Sequence, residues 1–195
     1  MMYAIVWWLP IAAMVGSVIF FAAWTWFHFP NRTANDVVDF LQHIDLEKVE
    51  DLLDPHTEYK YRSAMSSRDF RRLQRKRVHL YLEFLKRMSH NAGVLVDLGN
   101  KEAEHCNSEV ADAARAVQQE AVAVRLYVFS TMVKLRFWLL IRLDSWFVLP
   151  ALSLCDARET FGIHGIESYD RLKTAASALF LELHSNRFEE LLQAL

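Results

Sequence analysis

Hydrophobic positions follow two different patterns along this chain. From Tyr3 to Phe29 they form one run, YAIVWWLPIAAMVGSVIFFAAWTWFHF, without a single Asp, Glu, Lys or Arg. Its length exceeds the ~20 residues that cross ~30 Å of hydrocarbon, which predicts a transmembrane helix. Trp7 and Trp8 near one end and Trp24 and Trp26 near the other match the aromatic belts that sit at headgroup depth. A cleaved signal peptide fits less well, because the run lacks a basic lead and is too long for a signal-type apolar core. Ala12-x-x-x-Gly16 and Ala13-x-x-x-Ser17 are small-residue pairs of the kind that let a second transmembrane helix pack closely.

Past Pro30 the apolar positions become periodic. Asn35 or Asp36 caps a short helix to about His43, and Asp45 caps another to Leu53, ended by Asp54-Pro55. Ser66-x-x-Asp69 resembles a capping box opening a long helix, and Gly99-Asn100 reads as its left-handed stop. Phe70, Leu73, Tyr81, Phe84, Met88 and Leu95 mark its inward face. The next helix starts at Asn107 or Ser108, with no breaker before Pro150. Its stripe is Val110, Ala114, Val117, Ala121, Val124, Val128, Leu135 and Leu139. From Val122 the opposite face also turns apolar through Leu126, Phe129, Val133, Phe137 and Leu140, which predicts a central or lipid-facing position. Roughly 40 residues at ~1.5 Å each make a rod of about 60 Å, so the two long helices are expected to form an antiparallel hairpin.

After a Gly162-Ile163-His164-Gly165 loop, Tyr169, Leu172, Ala176, Leu179 and Leu183 give a third amphipathic helix, and a last one runs from Asn186 to Leu195. The expected fold is therefore all-α: a single transmembrane anchor over residues 1–30, then a helical bundle over 31–195 built on the long hairpin. No internal repeat, low-complexity run or sustained heptad is present. Five Gly and four Pro in 195 residues agree with a helical chain. Two cysteines, Cys106 and Cys155, make neither a disulfide framework nor a metal-spacing pair.

Charge changes the picture more. The net charge is only −2, yet residues 68–77, RDFRRLQRKR, hold six basic side chains. Two readings compete. Residues 36–58 carry Asp36, Asp39, Asp45, Glu47, Glu50, Asp51, Asp54 and Glu58 against Lys48, so the acidic helices could fold back and neutralise the cluster through ion pairs worth ~0–1 kcal/mol each when exposed. Alternatively, Arg68, Arg71, Arg72 and Arg75 form one outward helical face, joined by Lys76. The hairpin would return FWLLIRLDSWFVLP, residues 137–150, to the same end and bring Trp138, Trp146 and Phe147 beside them. A basic and aromatic surface suits anionic headgroups or an acidic partner. Arg32, Lys48, Lys60, Arg62 and the 68–77 cluster all follow the span, which places the C-terminal region in the cytoplasm and the N-terminal side outside the inner (cell) membrane.

Candidate chemistry is sparse. Arg77 and Asn91 interrupt the apolar stripe and read as core polar residues that set helix register. Arg125, Lys134, Arg136 and Arg142 argue against a second complete span. Glu102-x-x-His105 has di-iron spacing but only one copy. His79 and Glu83 read as a surface pair, and His164 as a residue of a solvated turn. No phosphate loop, dinucleotide fingerprint, nucleophile elbow or zincin motif occurs, so neither metal nor cofactor is expected, and no nucleic-acid module is legible. The expectation is a non-enzymatic, single-pass scaffold or accessory subunit that contacts membrane lipid and other membrane subunits or its own copies. The alternative is a membrane-bound helical enzyme for a lipid or isoprenoid-like phosphate, with the basic cluster holding phosphate.

Overall fold

The computed structural model of the 195-residue chain describes residues 34–104, 107–144, 163–183 and 188–195. The apolar run with Ala12, Ala13, Gly16 and Ser17 lies outside them, as do Trp146 and Phe147. Among the described residues there are seven helices and no strand, and no helix is long and apolar enough to cross a membrane. In chain order they are α1 (Ala34–Phe40), α2 (Leu46–Leu53), α3 (Pro55–Ala64), α4 (Ser67–Glu102), α5 (Ser108–Asp144), α6 (Ile163–Glu182) and α7 (Phe188–Ala194).

The bundle is organised around α5, which packs against both α4 and α6. Gly99 of α4 lies against Ala114 and Gln118 of α5. Gln118 Nε2 donates to Asn100 Oδ1 at 2.8 Å, and further along the pair Tyr81 lies near Tyr127. Residue numbers fall on one helix as they rise on the other, so this is the expected antiparallel hairpin. On the other side of α5, Gly165 approaches the Tyr127 ring and Arg171 Nε meets Glu120 Oε2 at 3.3 Å. That makes α6 antiparallel to α5 as well. The stripe from Val110 through Leu135 is buried throughout, whereas Val122 and Leu126 remain exposed. Removing a Leu or Val side chain from water contributes ~1.5–3 kcal/mol, so this two-sided burial is what holds the three long helices together.

Local signals set several boundaries as expected. Asp45 caps α2 by accepting from Lys48 N, and Ser66 caps α4 by accepting from Asp69 N. Four corrections have identifiable causes. First, α4 does not stop at Gly99-Asn100; it continues to Glu102, and the cap residue Ala103 is right-handed at φ −63°, ψ −20°. Gly99 serves close packing instead, since a Cβ there would lie 2.9 Å from the Ala114 carbonyl oxygen and 3.3 Å from Gln118 Cβ. Gly99→Val is therefore expected to force the hairpin apart and cost ~1–3 kcal/mol, measured as a lower urea midpoint.

Second, Asp54-Pro55 ends α2 but also opens α3, which sequence reading missed. Asp54 accepts from the His56 and Thr57 amides, and Pro55 at the first helical position surrenders an amide that has no partner there anyway. Third, α1 ends at Phe40 rather than near His43, because the Gln42 amide and carbonyl are both taken by Asn91. Fourth, Ile163, His164 and Gly165 belong to α6 and not to a loop. Within α6, Tyr169, Leu172, Ala176 and Leu179 are buried as expected, with Leu183 half-buried. The last helix begins at Phe188, and Asn186 lies outside the described residues.

Candidate functional site

The phase of α4 is set at its first turn. Ser66 Oγ accepts from the Asp69 amide at 3.3 Å and donates to Asp69 Oδ2 at 2.7 Å, so cap and side chain close on each other. With that phase Phe70 turns into the core, while Arg68, Arg71, Arg72, Arg75 and Lys76 all face solvent. None of these five forms an ion pair among the described residues. Among the described residues the polar contact in this group is local, from Arg71 Nε to the Ser67 carbonyl at 3.2 Å.

Among the described side chains the acidic segment does not neutralise this face, and several of its carboxylates are engaged elsewhere. Asp45 pairs with Lys48 at 2.8 Å, and that contact holds its carboxyl below the usual carboxylate range. Asp54 accepts from the Thr57 hydroxyl at 2.8 Å and the Thr57 amide at 2.9 Å, which lowers its pKa likewise. Within RDFRRLQRKR, among the described residues, only Arg77 takes an acidic partner. Its Nη1 lies 3.6 Å from Glu58 Oε2, with both side chains buried, and its Nη2 donates to the Leu52 carbonyl. Arg77 thereby ties α2 and α3 to α4. Beside it, the buried Gln74 amide has no hydrogen-bond partner among the described residues through either Oε1 or Nε2.

Asn91 is the second polar residue of the stripe and is wholly buried. Its Nδ2 donates at 2.8 Å both to the Gln42 carbonyl and to the Tyr169 hydroxyl, and its Oδ1 accepts from the Gln42 amide at 2.8 Å. One side chain thus joins three parts of the chain. Burial pushes the Tyr169 hydroxyl up to about 12, against the opposing pull of its bond with Asn91. Arg125 on α5 is half-buried, and desolvation lowers its pKa while Asp97 raises it.

Other sequence candidates are not brought together. Glu83 pairs with Lys86 at 3.3 Å rather than with His79. Glu102 is half-buried at the end of α4, and His105 lies outside the described residues. Among the described residues no group of three or more His, Cys, Asp or Glu is placed to hold a metal ion. The position of Trp138 belongs to α5, on the part of the helix that the hairpin register carries toward the start of α4; its side chain is outside the description, as is all of Trp146.

Residues that sequence reasoning passed over lie in α3. Tyr59 is 76% exposed, and Tyr61 and Met65 are also open to solvent beside Lys60 and Arg62. The stretch TEYKYR alternates aromatic and basic residues, and Asp54-Pro55, which ends α2, also opens the helix that carries it. The described residues thus form an all-α bundle whose arginine face, at one end of the hairpin, has no ion-pair partner among them. Comparisons with protein-family models, curated proteins and solved structures found no match.

Proposed function

We propose that this chain is a single-pass membrane-anchored protein whose helical domain acts as a scaffold or accessory subunit at the cytoplasmic membrane surface, held by residues 3–29, with its basic end toward anionic groups. The observation that carries this reading is the arginine face. Four arginines and Lys76 stand exposed, with no ion-pair partner among the described residues, in a chain of net charge −2, although the acidic segment 36–58 lies immediately upstream. Keeping that much charge of one sign unneutralised favours an external anionic partner. Exposed Val122 and Leu126, one turn apart on α5, offer apolar surface for another subunit.

The enzyme alternative draws less support. It needs arginine at the mouth of an apolar groove, but Arg77 is engaged by Leu52 and Glu58, and Arg71 and Arg72 stand on the open surface. Alkaline carbonate extraction of membranes carrying the full chain tests the anchor. The chain is expected to stay with the membrane pellet, and deletion of residues 3–29 is expected to release it. Release of the intact chain by carbonate would overturn the reading.

A further inference from the structure

The corner where α3 turns into α4 has no buried residue across eleven consecutive positions, from Tyr59 to Asp69. Helices of a bundle normally bury one stripe. Here the last turns of α3 and the first of α4 are exposed all round, joined through Met65 and Ser66. Among the described residues α3 is tied to the bundle at its root, through Glu58 against Arg77. Beyond Glu58 the helix projects from the bundle.

The exposed side chains are of two kinds. Between residues 59 and 76 there are seven basic groups, Lys60, Arg62, Arg68, Arg71, Arg72, Arg75 and Lys76, against the single Asp69, a net charge of +6. Among them stand Tyr59, Tyr61 and Met65, all exposed. Tyr59 and Tyr61 are two positions apart and so point to different sides of α3. A protein docking on one helix face would cover one ring and leave the other in water. A headgroup layer is soft and several ångströms deep, and it can surround the corner on all sides. Tyrosine rings partition to that depth, and each nearby Lys or Arg adds on the order of fivefold to attraction by anionic lipid.

We propose that the corner between α3 and α4 is a docking element for anionic phospholipid headgroups, with Arg62, Arg68, Arg71 and Arg72 binding phosphate and Tyr59, Tyr61 and Met65 entering the interface. The proposal rests on the membrane-anchored reading above and deepens it by naming the partner of the basic end. Tethering by residues 3–29 raises the effective concentration of lipid at the corner, so weak contacts suffice.

The test is hydrogen exchange of the full chain in nanodiscs of phosphatidylcholine alone or of phosphatidylcholine with phosphatidylglycerol, read on peptides covering residues 59–72. Exchange there is expected to slow by on the order of tenfold in the anionic discs only, and high salt should reverse the effect. The triple variant Arg68→Glu, Arg71→Glu, Arg72→Glu and the double variant Tyr59→Ser, Tyr61→Ser are each expected to remove most of the protection. All these positions are exposed, and exchange elsewhere in α4 reports that the variants remain folded. Equal protection in both lipids, no protection in either, or protection that survives either set of substitutions would overturn the proposal. Protection by polyglutamate in neutral discs, without protection by anionic ones, would overturn it in favour of an acidic protein partner. Co-elution of chain and disc through a high-salt wash reports the anchor separately. If the chain does not co-elute, the same exchange is read with preformed vesicles of the two compositions, so failure of the anchor and failure of the docking element remain distinct.

Discussion

Replacing Arg77 with methionine is expected to lower the free energy of unfolding by ~3–5 kcal/mol, because the change strands a buried carboxylate. Arg77 and Glu58 face each other at 3.6 Å with side chains only 7% and 5% exposed, and the same guanidinium bonds the Leu52 carbonyl. Methionine fills similar space but supplies neither the charge nor the donors. Glu58→Leu is expected to cost a comparable amount by leaving the guanidinium without its counter-charge. In the double variant both charges are gone and the two losses should not add. A stability close to that of either single variant, or above it, is the expected outcome of the cycle. Chemical denaturation followed by circular dichroism measures all four proteins, and additive losses would show that the two side chains do not act as a pair. The ion pair is the main polar link from α3 to α4, so its loss should also speed proteolysis around residues 55–65 before the rest of the bundle opens.

Asn91→Ala is the second large effect, expected at ~2–4 kcal/mol. Truncation leaves the Gln42 amide, the Gln42 carbonyl and the Tyr169 hydroxyl without the partner that now satisfies them, and each stranded group costs ~1–3 kcal/mol to the extent that it stays out of water. Gln42 lies near the surface and can recruit water, which keeps the total below the sum of three full penalties. Tyr169→Phe removes only the bond to Asn91 and is expected to cost about 1 kcal/mol. If Asn91→Ala proves no worse than Tyr169→Phe, the contacts to Gln42 contribute nothing and α1 must be held by its apolar packing alone. Loss of the Gln42 contacts should also release residues 41–45 from α4, visible as faster amide exchange there.

Both effects concern residues whose importance the sequence announced only in part. Arg77 and Asn91 stood out because each breaks an apolar stripe, and a break in periodicity is a local signal. Their partners were not legible. Glu58 comes from a helix hidden behind a proline, and Gln42 and Tyr169 lie far from Asn91 in the chain and on opposite sides of it. Gly99 shows the same division. A glycine followed by asparagine after a long stripe reads as a left-handed stop, yet the reason for glycine is the Ala114 carbonyl of the facing helix, which no local pattern contains.

What the sequence determined by itself is whatever a single helical turn decides. The caps at Asp45 and Ser66, most of the buried stripe positions of the three long helices, with Leu73, Phe84 and Leu183 only half-buried, and the outward phase of Arg68, Arg71, Arg72 and Arg75 follow from spacings of three and four residues, within which side chain and backbone meet directly. The tertiary structure alone decided which charges meet. Whether the acidic segment would neutralise the arginines depended on where its carboxylates reached once the helices packed. Asp45 and Asp54 went to helix caps and Glu58 to the arginine turned inward, and among the described residues none reached the outer face. Charge pairing over long sequence distances is set by the packing of apolar faces, and that packing is a property of the assembled bundle.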